Sequence, residues 1–342
     1  MTAHSDTTTT SIITRFEAFV ALEQEWTELF EAADDPLPIL RHLSLRLAWR
    51  LAERRWESPL IVVVRRNGRL VMAGAFAFGI DRFKPSIHFL KGGLPTQNEL
   101  LWSDAARASD DAVALLGALR ARLKLPRILR KDYVLEGSPF VAATRRLALP
   151  QRLWSTRANY FVSTDAFADN ATYLTELGRK LKSDHLRRLR RLQDAGSFEF
   201  RREQGEAARP ALGWLLDTKR QWLVRKNTLA PWLKRRRVDG FLDALLFAPD
   251  APPWSLWTIY LDGRLLAAQL SFEERNSWHF QMVGHDPEAK QFAPGRTVVL
   301  LAIEQAFAAG VHRVWMGPTG AEWKEPLVNG SQVLLGMRVR LK

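Results

Sequence analysis

Hydrophobic residues follow the same order twice along the chain. Ile61–Phe78 and Trp257–Phe272 each consist of an apolar run, a two-residue turn, an Arg-Leu pair and a second apolar run. The turns are Asn67-Gly68 and Asp262-Gly263. Such pairs are the strongest short-range signal for a β-hairpin, because a type I′ turn needs positive φ at both central residues. The pattern predicts one hairpin in each half of the chain.

The repetition continues beyond the hairpins. A predicted helix over Asp111–Leu123 precedes a strand that begins near Pro126, and a predicted helix over Arg296–Ala309 precedes a strand over Val311–Trp315. Gly310 stands just after the second helix, where glycine commonly ends helices. The repeated order favours a duplication. We therefore predict an α/β fold (α+β, with mixed sheets) made of two tandem lobes of similar structure.

The same patterns suggest how the chain is divided. Residues 1–11 are polar and predict a disordered tail, residues 12–150 form the first lobe, and residues 151–342 form the second. Within the second lobe we predict a single long helix from about Thr172 to Gln193, capped by Asp169 or Asn170 and ended by Gly196. A strand, two helices and a three-stranded meander follow it.

Composition limits the partners and the catalytic groups that the protein can have. The net charge is +13, from 50 Lys and Arg against 37 Asp and Glu, which favours anionic partners. The chain has no cysteine, so disulfides, thiolate catalysis and Cys-based zinc sites are excluded. The seven histidines lack metal-binding spacing, and we expect no metal. No apolar run approaches the ~20 residues of a membrane helix, and the polar start is not a secretory signal. We expect a cytoplasmic protein, for which peripheral contact with a membrane stays open.

Four stretches of the second lobe carry a family resemblance. They are Gly178–Phe200, Leu261–Phe272, Gly284–Gly310 and Val314–Leu327. In order and spacing they resemble the CelD/BcsL-type acyltransferases of the GNAT superfamily, which are relatives of the FemAB/FemX peptidyltransferases. The last stretch has Trp323-Lys324 where the family usually has Tyr-Lys. The resemblance implies a double-GNAT architecture with a degenerate first lobe and the active site in the second.

The resemblance also implies where a donor binds. A GNAT fold holds an acyl thioester in a gap between its fourth and fifth strands, which here correspond to Ser277–Gly284 and Arg313–Met316. Backbone N–H groups of the splayed strand would hold the thioester carbonyl and the oxyanion formed on attack. The pyrophosphate of acyl-CoA, most simply acetyl-CoA, would bind at the start of the following helix. The predicted donor-binding residues are Met282, Val283, Gly284, Gly295, Arg296 and Thr297.

One departure from the family signature concerns the donor. Gln291 precedes Gly295 by one position too many, and Thr297 replaces the expected Gly or Ala. This departure questions acetyl-CoA binding more than it questions the fold. FemX-like relatives use aminoacyl-tRNA instead of acyl-CoA, so the resemblance leaves the donor open.

Candidate catalytic residues cluster near the end of the splayed strand. Lys324, with Trp323 beside it, matches the family's lysine and would stabilise the oxyanion or the departing thiolate; the alternative is a solvated surface lysine. His285 and Asp286 are candidate proton acceptors, and Asp217 is a third. Each of these three also has a purely structural interpretation.

Two runs of basic residues suggest an anionic acceptor. Arginine binds phosphate through two parallel hydrogen bonds, although a run of charges is often only a solvated face. From the runs we select Arg179, Lys182, Arg187, Arg220 and Trp222 as candidate substrate-binding residues. The first run is Arg179, Lys180, Lys182, Arg187, Arg188, Arg190 and Arg191; the second is Lys219, Arg220, Arg225, Lys226, Lys234, Arg235, Arg236 and Arg237, with Trp222 and Trp232 among them.

Three functional hypotheses follow. The first is an acyl-CoA-dependent N- or O-acyltransferase acting on a sugar or amino sugar, linked to a nucleotide or a lipid, in cell-envelope or exopolysaccharide biosynthesis. The second is a FemX-like peptidyltransferase that uses aminoacyl-tRNA. The third is a basic, non-catalytic protein that binds RNA or another polyanion. The acceptor class in the first hypothesis comes from the resemblance alone.

Overall fold

A computed structural model describes residues 7–81, 84–92, 94, 97–123, 128–226, 237–317 and 323–341. The chain forms two compact units. The first contains Met1–Ala158 together with Gln332–Lys342, and the second contains Asn159–Ser331.

Both units contain helices as well as strands. The elements up to the first boundary are β1 (Thr8–Ile13), α1 (Phe16–Val20), α2 (Glu23–Ala32), α3 (His42–Glu53), β2 (Ser58–Arg66), β3 (Arg69–Asp81), β4 (Lys84–Phe89), β5 (Leu101–Trp102), α4 (Ala108–Arg122), β6 (Ile128–Leu135), α5 (Pro139–Arg146) and β7 (Gln151–Ser163). The remaining elements are α6 (Asn170–Glu176), α7 (Arg179–Ala195), β8 (Phe198–Glu203), α8 (Arg209–Arg225), α9 (Arg237–Leu246), β9 (Trp254–Leu261), β10 (Arg264–Glu273), β11 (Ser277–His285), α10 (Pro294–Ala308), β12 (Arg313–Gly317) and β13 (Gly330–Arg340).

Within each unit the strands pair in a mixed order. In the first unit the strand order is β1-β2-β3-β4-β6-β13, with β5 paired to β3. In the second unit the order is β7-β12-β11-β10-β9-β8. Only the β4–β6 and β11–β12 pairs are parallel among the strand pairs described here. In each unit the strands bury one face under a helix: α4 covers the first core and α10 the second. The predicted mixed α/β fold is thus confirmed.

Both predicted hairpins are present, and their turns have the predicted geometry. Asn67 and Gly68 have φ of 51° and 81°, and Asp262 and Gly263 have φ of 51° and 76°. In each case the strands on either side pair antiparallel. A short polar side chain followed by glycine is what two successive positive φ angles require.

The long helix predicted over Thr172–Gln193 is two helices, α6 and α7. Gly178 separates them with φ of 90°, a conformation that side chains with a Cβ disfavour. The predicted capping residue Asp169 is present and accepts a hydrogen bond from the Thr172 N–H at 2.7 Å. Leucines at helical spacing continue across the break, and those on both sides of it pack against the core.

The unit boundaries differ from the predicted division in two places. Residues 8–11, expected in a disordered tail, belong to β1, which pairs with β2 from Thr8↔Arg66 onward. Threonine favours extended backbone, and an edge strand needs no apolar face when ladder hydrogen bonds hold it. Residues 332–341, expected in the second lobe, belong to the first unit because β13 pairs with β6. In the described part of the chain, every helix is too short or too polar to cross a membrane.

Candidate active site

The site is built where two neighbouring parallel strands of the second unit part. The register of β11 and β12 runs from Ser277↔Arg313 to His279↔Trp315, and β11 continues to His285. Over the same stretch β11 stays paired with β10 on its other side. The edge of β11 that faces β12 is therefore left open beyond His279. This is the strand gap that the family resemblance implied.

A β-bulge in β11 reverses which face of the sheet its even-numbered and odd-numbered side chains occupy. The register with β10 passes from Phe280↔Ser271 to Met282↔Leu270, so Gln281 is the extra residue. Before the bulge, Trp278 and Phe280 pack in the core under α10. After it, even-numbered Gly284 faces α8, where an added Cβ would lie 2.7 Å from Leu215 Cδ1. Odd-numbered His285 faces the start of α10 instead.

Backbone geometry identifies which residue offers its N–H to the gap. Asp286 donates its N–H to the Leu266 carbonyl of β10 at 2.8 Å. Because backbone groups alternate along a strand, Gly284 and Met282 also point toward β10, whereas Val283 points the other way. The Val283 carbonyl indeed accepts a hydrogen bond from Lys219 Nζ at 3.3 Å. Of the three residues predicted to hold the acyl carbonyl, Val283 is the one whose N–H faces the gap.

A cavity of about 330 Å³ opens at this point and extends from α8 to the start of α10. Its described lining carries basic side chains and two tryptophans, and no carboxylate is among these described residues. The lining consists of Arg188, Thr218, Lys219, Trp222, Val283, Gly284, His285, Lys290, Ala293, Gly295, Arg296 and Trp323. The charged side chains of this described lining are all cationic, which favours an anionic ligand.

The start of α10 offers fewer free donors than the sequence indicated. Ala293 has a left-handed φ of 45°, and its carbonyl accepts the N–H groups of Arg296 at 3.0 Å and Thr297 at 3.2 Å. The Thr297 hydroxyl also donates to this carbonyl, at 3.3 Å, and its side chain is buried. The N–H groups of Arg296 and Thr297 are therefore already bonded to Ala293, and the prediction that they bind the pyrophosphate is wrong. In this segment the Gly295 N–H and the Arg296 side chain are the groups that can meet an anion.

Gly295 has a further role that the sequence did not indicate. A Cβ at this position would lie 3.0 Å from His285 Nδ1. Glycine thus lets the His285 ring pack directly against the helix start. Burial, followed by the charges of Lys219 and Arg225, lowers the pKa of His285 and favours the neutral ring.

Lys324 is buried, with 8% of its surface exposed. Its Nζ donates to the Met316 carbonyl on β12, and the Trp323 ring centroid lies 5.9 Å from Nζ. Burial, followed by the charge of Lys219, lowers its pKa to about 8. The interpretation of Lys324 as a solvated surface lysine is therefore wrong.

Lys219 is the residue that sequence reasoning missed, because it stands in a run of basic residues and was grouped with them. Its Nζ lies 4.6 Å from the Trp222 ring centroid and donates to Val283. Burial lowers its pKa. The available signal was helical spacing: Lys219 is four residues after Leu215, which is on the buried face of α8.

The candidate carboxylates do not reach the cavity. Asp286 accepts from the Arg264 guanidinium and from the Glu288 N–H at 2.9 Å, so it caps the turn after β11. Asp217 is exposed and pairs with Arg220 at 2.9 Å. Both carboxylates are held by cations outside the cavity lining, and the structure gives them structural roles.

The basic runs contribute unequally. Arg188 lines the cavity, and together with Arg187 it pairs with Asp184. Arg179 and Arg187 are exposed on α7. Lys182 donates to Thr175 Oγ1 at 2.9 Å.

In the second run, Arg220 bridges Asp217 and Asp239, and Trp222 lines the cavity. Residues Lys234, Arg235, Arg236 and Trp232 lie outside the described residues.

Comparison with known protein families matches one part of the chain. Residues 179–325 match the family model described as an acetyltransferase (GNAT) domain. This match covers α7 to the loop after β12, and so includes the cavity. No curated relative is detected by sequence comparison.

Solved structures show the fold of the whole chain. FemX aligns with a TM-score of 0.63 at 12% identity, over 93% of this chain and 95% of its own. A conserved protein of unknown function from Bacteroides thetaiotaomicron aligns with a TM-score of 0.58 at 11% identity, over 94% and 97%. The C-terminal domain of a putative lysylphosphatidylglycerol synthetase from Agrobacterium fabrum aligns with a TM-score of 0.56 at 12% identity, over 94% and 92%. Residues 179–325 match a GNAT acetyltransferase domain, and on this match the protein is an enzyme of the GNAT acyltransferase type.

Proposed function

We propose that the protein is a cytoplasmic N- or O-acyltransferase that uses acyl-CoA, with acetyl-CoA as the simplest donor. The observation that carries this proposal is the positive cavity at the point where β11 and β12 part. The open edge of β11 offers the Val283 N–H, and Arg188, Lys219, Lys290 and Arg296 line the same cavity. This arrangement suits a ligand that has a reactive carbonyl at one end and phosphates at the other.

The residues divide into two groups by what they would do. On the α10 side, Arg296, Lys290 and the Gly295 N–H would bind the phosphates, and Arg188 adds a fourth cationic or donor group. At the gap, the Val283 N–H would hold the acyl oxygen, and it would bind the oxyanion of the tetrahedral intermediate more strongly than the starting carbonyl. Lys324 would stabilise negative charge on the oxyanion or on the departing thiolate.

We infer that the acceptor is a sugar or amino sugar of a cell-envelope or exopolysaccharide pathway. This acceptor class rests on the resemblance to CelD/BcsL-type acyltransferases. The α8 side of the cavity is its natural place, because the α10 side is taken by the donor. There Thr218, Lys219 and Trp222 would contact the acceptor, and a nucleotide-linked or lipid-linked phosphate would suit the positive charge.

The donor is tested by isothermal titration of the purified protein with acetyl-CoA and with longer acyl-CoAs. Turnover is then followed as thiol release in the presence of glucosamine as a probe acceptor. Because the chain has no cysteine, a thiol reagent detects released CoA without background from the protein. Saturable binding and glucosamine-dependent thiol release support the proposal, whereas absence of acyl-CoA binding rejects acyl-CoA as the donor.

One observation favours a second candidate, a FemX-like transferase that uses aminoacyl-tRNA. Helix α7 presents exposed basic side chains, including Arg179, Lys180, Arg187, Arg190 and Arg191. An RNA backbone would bind such a face, and the affinity would fall steeply with salt. Binding of tRNA with a steep salt dependence, in a protein that does not bind acyl-CoA, would favour this candidate. Aminoacyl transfer from charged tRNA would then separate it from a non-catalytic basic binding protein.

A further inference from the structure

Helix α7 carries an exposed basic face. Two rows of exposed residues at helical spacing lie on it, and five of these six side chains are cationic. The rows are Arg179, Leu186 and Arg190, and Lys180, Arg187 and Arg191. On the opposite side of the helix, Leu181 and Leu189 pack against the core. The six exposed residues are called the basic face of α7 below.

The basic face of α7 and the cavity meet within one turn of the helix. Arg188 lines the cavity and pairs with Asp184 at 2.7 Å. The same carboxylate pairs with Arg187, which belongs to the basic face. Helix α7 also contacts the turn after β11 and helix α10. A partner held on the basic face therefore lies beside the end of the cavity where the donor phosphates would bind.

The start of α10 suits one phosphate better than a pyrophosphate. The N–H groups of Arg296 and Thr297 are bonded to the Ala293 carbonyl at 3.0 and 3.2 Å. Pro294 has no N–H to donate. Among the described residues of this helix start, the Gly295 N–H and the Arg296 side chain are left for an anion. CoA carries a pyrophosphate and a ribose phosphate, whereas a phosphopantetheine arm on a carrier protein carries a single phosphate.

Resting on the acyl transfer proposed above, we propose that the basic face of α7 docks an acidic carrier protein, which delivers the acyl thioester on a phosphopantetheine arm. Arg188, Lys290 and Arg296 bind the single phosphate of the arm, and the thioester carbonyl reaches the Val283 N–H. Acetyl-CoA contains the same pantetheine unit and is a simpler donor, but it makes no contact with the basic face.

The transfer balances without a further reactant. The acceptor amine attacks the thioester carbonyl, a C–N bond forms and the C–S bond breaks. Of the two protons that the acceptor ammonium loses, one ends on the sulfur and the other goes to solvent. The free thiol stays on the phosphopantetheine arm and leaves with the carrier protein.

The composition of the basic face favours a protein partner over RNA. Binding of single-stranded RNA relies on phosphate contacts and on the stacking of bases on aromatic rings. Helix α7 contains no Phe, Tyr or Trp, and its His185 is buried. Leu186, with 41% of its surface exposed, instead stands between Arg179 and Arg190 along its row. An apolar contact among arginines is typical of protein interfaces, and acidic side chains of the partner complement the charge.

The first test measures docking without turnover. The probe is a fluorescently labelled acidic acyl carrier protein in its phosphopantetheine form, titrated with the full chain at low salt. We expect saturable binding that weakens by a factor on the order of 10 in Arg190→Glu/Arg191→Glu and at high salt. Arg54→Glu/Arg69→Glu makes the same change in net charge at exposed positions of the first unit and should bind as wild type does. Equal binding by the two double variants overturns the proposal.

Leu186→Ser separates a protein partner from RNA. It should weaken binding of the carrier protein severalfold and leave binding of tRNA unchanged, because serine removes the apolar contact and no charge. A face that binds tRNA more tightly than the carrier protein, with no effect of Leu186→Ser on either, serves RNA, and that result overturns the proposal.

The second test compares acetyl transfer to glucosamine from the acetylated carrier protein and from acetyl-CoA, measured by mass spectrometry. In wild type, kcat/KM should be higher for the carrier protein by a factor on the order of 10, and Arg190→Glu/Arg191→Glu should remove this advantage. Turnover of acetyl-CoA with no advantage for the carrier protein overturns the docking proposal and leaves the proposed function standing. Absence of transfer from both thioesters rejects the proposed function, and the binding measurement still decides whether the basic face docks a carrier protein.

Discussion

Replacing Lys324 by methionine should stabilise the protein at neutral pH while it slows catalysis. The pKa of Lys324 in the folded protein, about 8, lies below the ordinary lysine value of 10.5, so the folded state binds the Lys324 proton less tightly than the unfolded state does. Between these two values the unfolded state holds more protons, and stability therefore rises with pH. At pH 7 most Lys324 side chains are charged and buried, which weakens the folded state. Methionine removes this cost.

The size of this effect on the free energy of unfolding follows from the pKa shift of Lys324. At about 1.4 kcal/mol per pKa unit, the Lys324 contribution to the free energy of unfolding should change by roughly 2 to 3 kcal/mol between pH 7 and pH 10. The excess stability of Lys324→Met over wild type should therefore be larger at pH 7 than at pH 10 by about that amount. Comparison at two pH values cancels the pH-independent loss of the hydrogen bond to Met316.

The assay is urea unfolding of both proteins at pH 7 and pH 10, with acetyl-CoA turnover measured alongside. In turnover, Lys324→Met should lose a factor on the order of 10² to 10³ in kcat, with nearly unchanged donor affinity. Lys324→Arg should fold but remain slow, because a guanidinium does not fit a site built for a compact ammonium. Parallel pH dependence of the two unfolding free energies would refute the burial argument. Rescue of the methionine variant by saturating acceptor would instead make Lys324 an acceptor-binding residue.

Three further predictions test other parts of the second unit. Gly295→Val should weaken acyl-CoA affinity by at least tenfold, or ~1.4 kcal/mol, because the new side chain displaces His285; unchanged affinity by titration in a folded variant would move the phosphate site elsewhere. Asp262→Ala should lower the free energy of unfolding, measured by thermal melts, by about 1–2 kcal/mol, since the carboxylate accepts the Ser197 N–H at 2.8 Å and the residue has positive φ. Asp262→Asn, which tolerates that φ, should lose less stability in the same measurement. Tyr173→Phe should cost about 1 kcal/mol in urea unfolding, because the buried hydroxyl donates to the Leu327 carbonyl at 2.7 Å, and a change within error would mean that this bond contributes nothing net.

Local signals were sufficient for much of the fold. The Asn67-Gly68 and Asp262-Gly263 turns fixed both hairpins, because positive φ at two successive residues leaves few alternatives. Asp169 marked a helix start because its short side chain can accept a backbone N–H of the first turn, here that of Thr172. Gly178 was harder to interpret, since leucines at helical spacing continue across it, and only its φ of 90° ends the first helix.

The candidate site was less predictable because it depends on contacts between distant segments. The family resemblance placed Val283, His285, Gly295 and Trp323 near one another, and they do line one cavity. The hydrogen bond from the Thr297 N–H to the Ala293 carbonyl depends on backbone geometry that composition does not reveal. The partial burial of Lys219 depends on which face of α8 meets the sheet. A charged residue in a basic run gives little warning that it lines a cavity.

The pairing of β13 with β6 has a consequence for the order of folding during synthesis. Domains generally fold as units, with the N-terminal one first, while the chain leaves the ribosome. Here the first unit needs residues 332–341 for the strand beside β6, and these are made after all of residues 159–331. The catalytic unit has every strand of its own sheet order available earlier than the first unit does. The second unit is therefore expected to fold first during synthesis. The first unit stays incomplete until β13 has been translated.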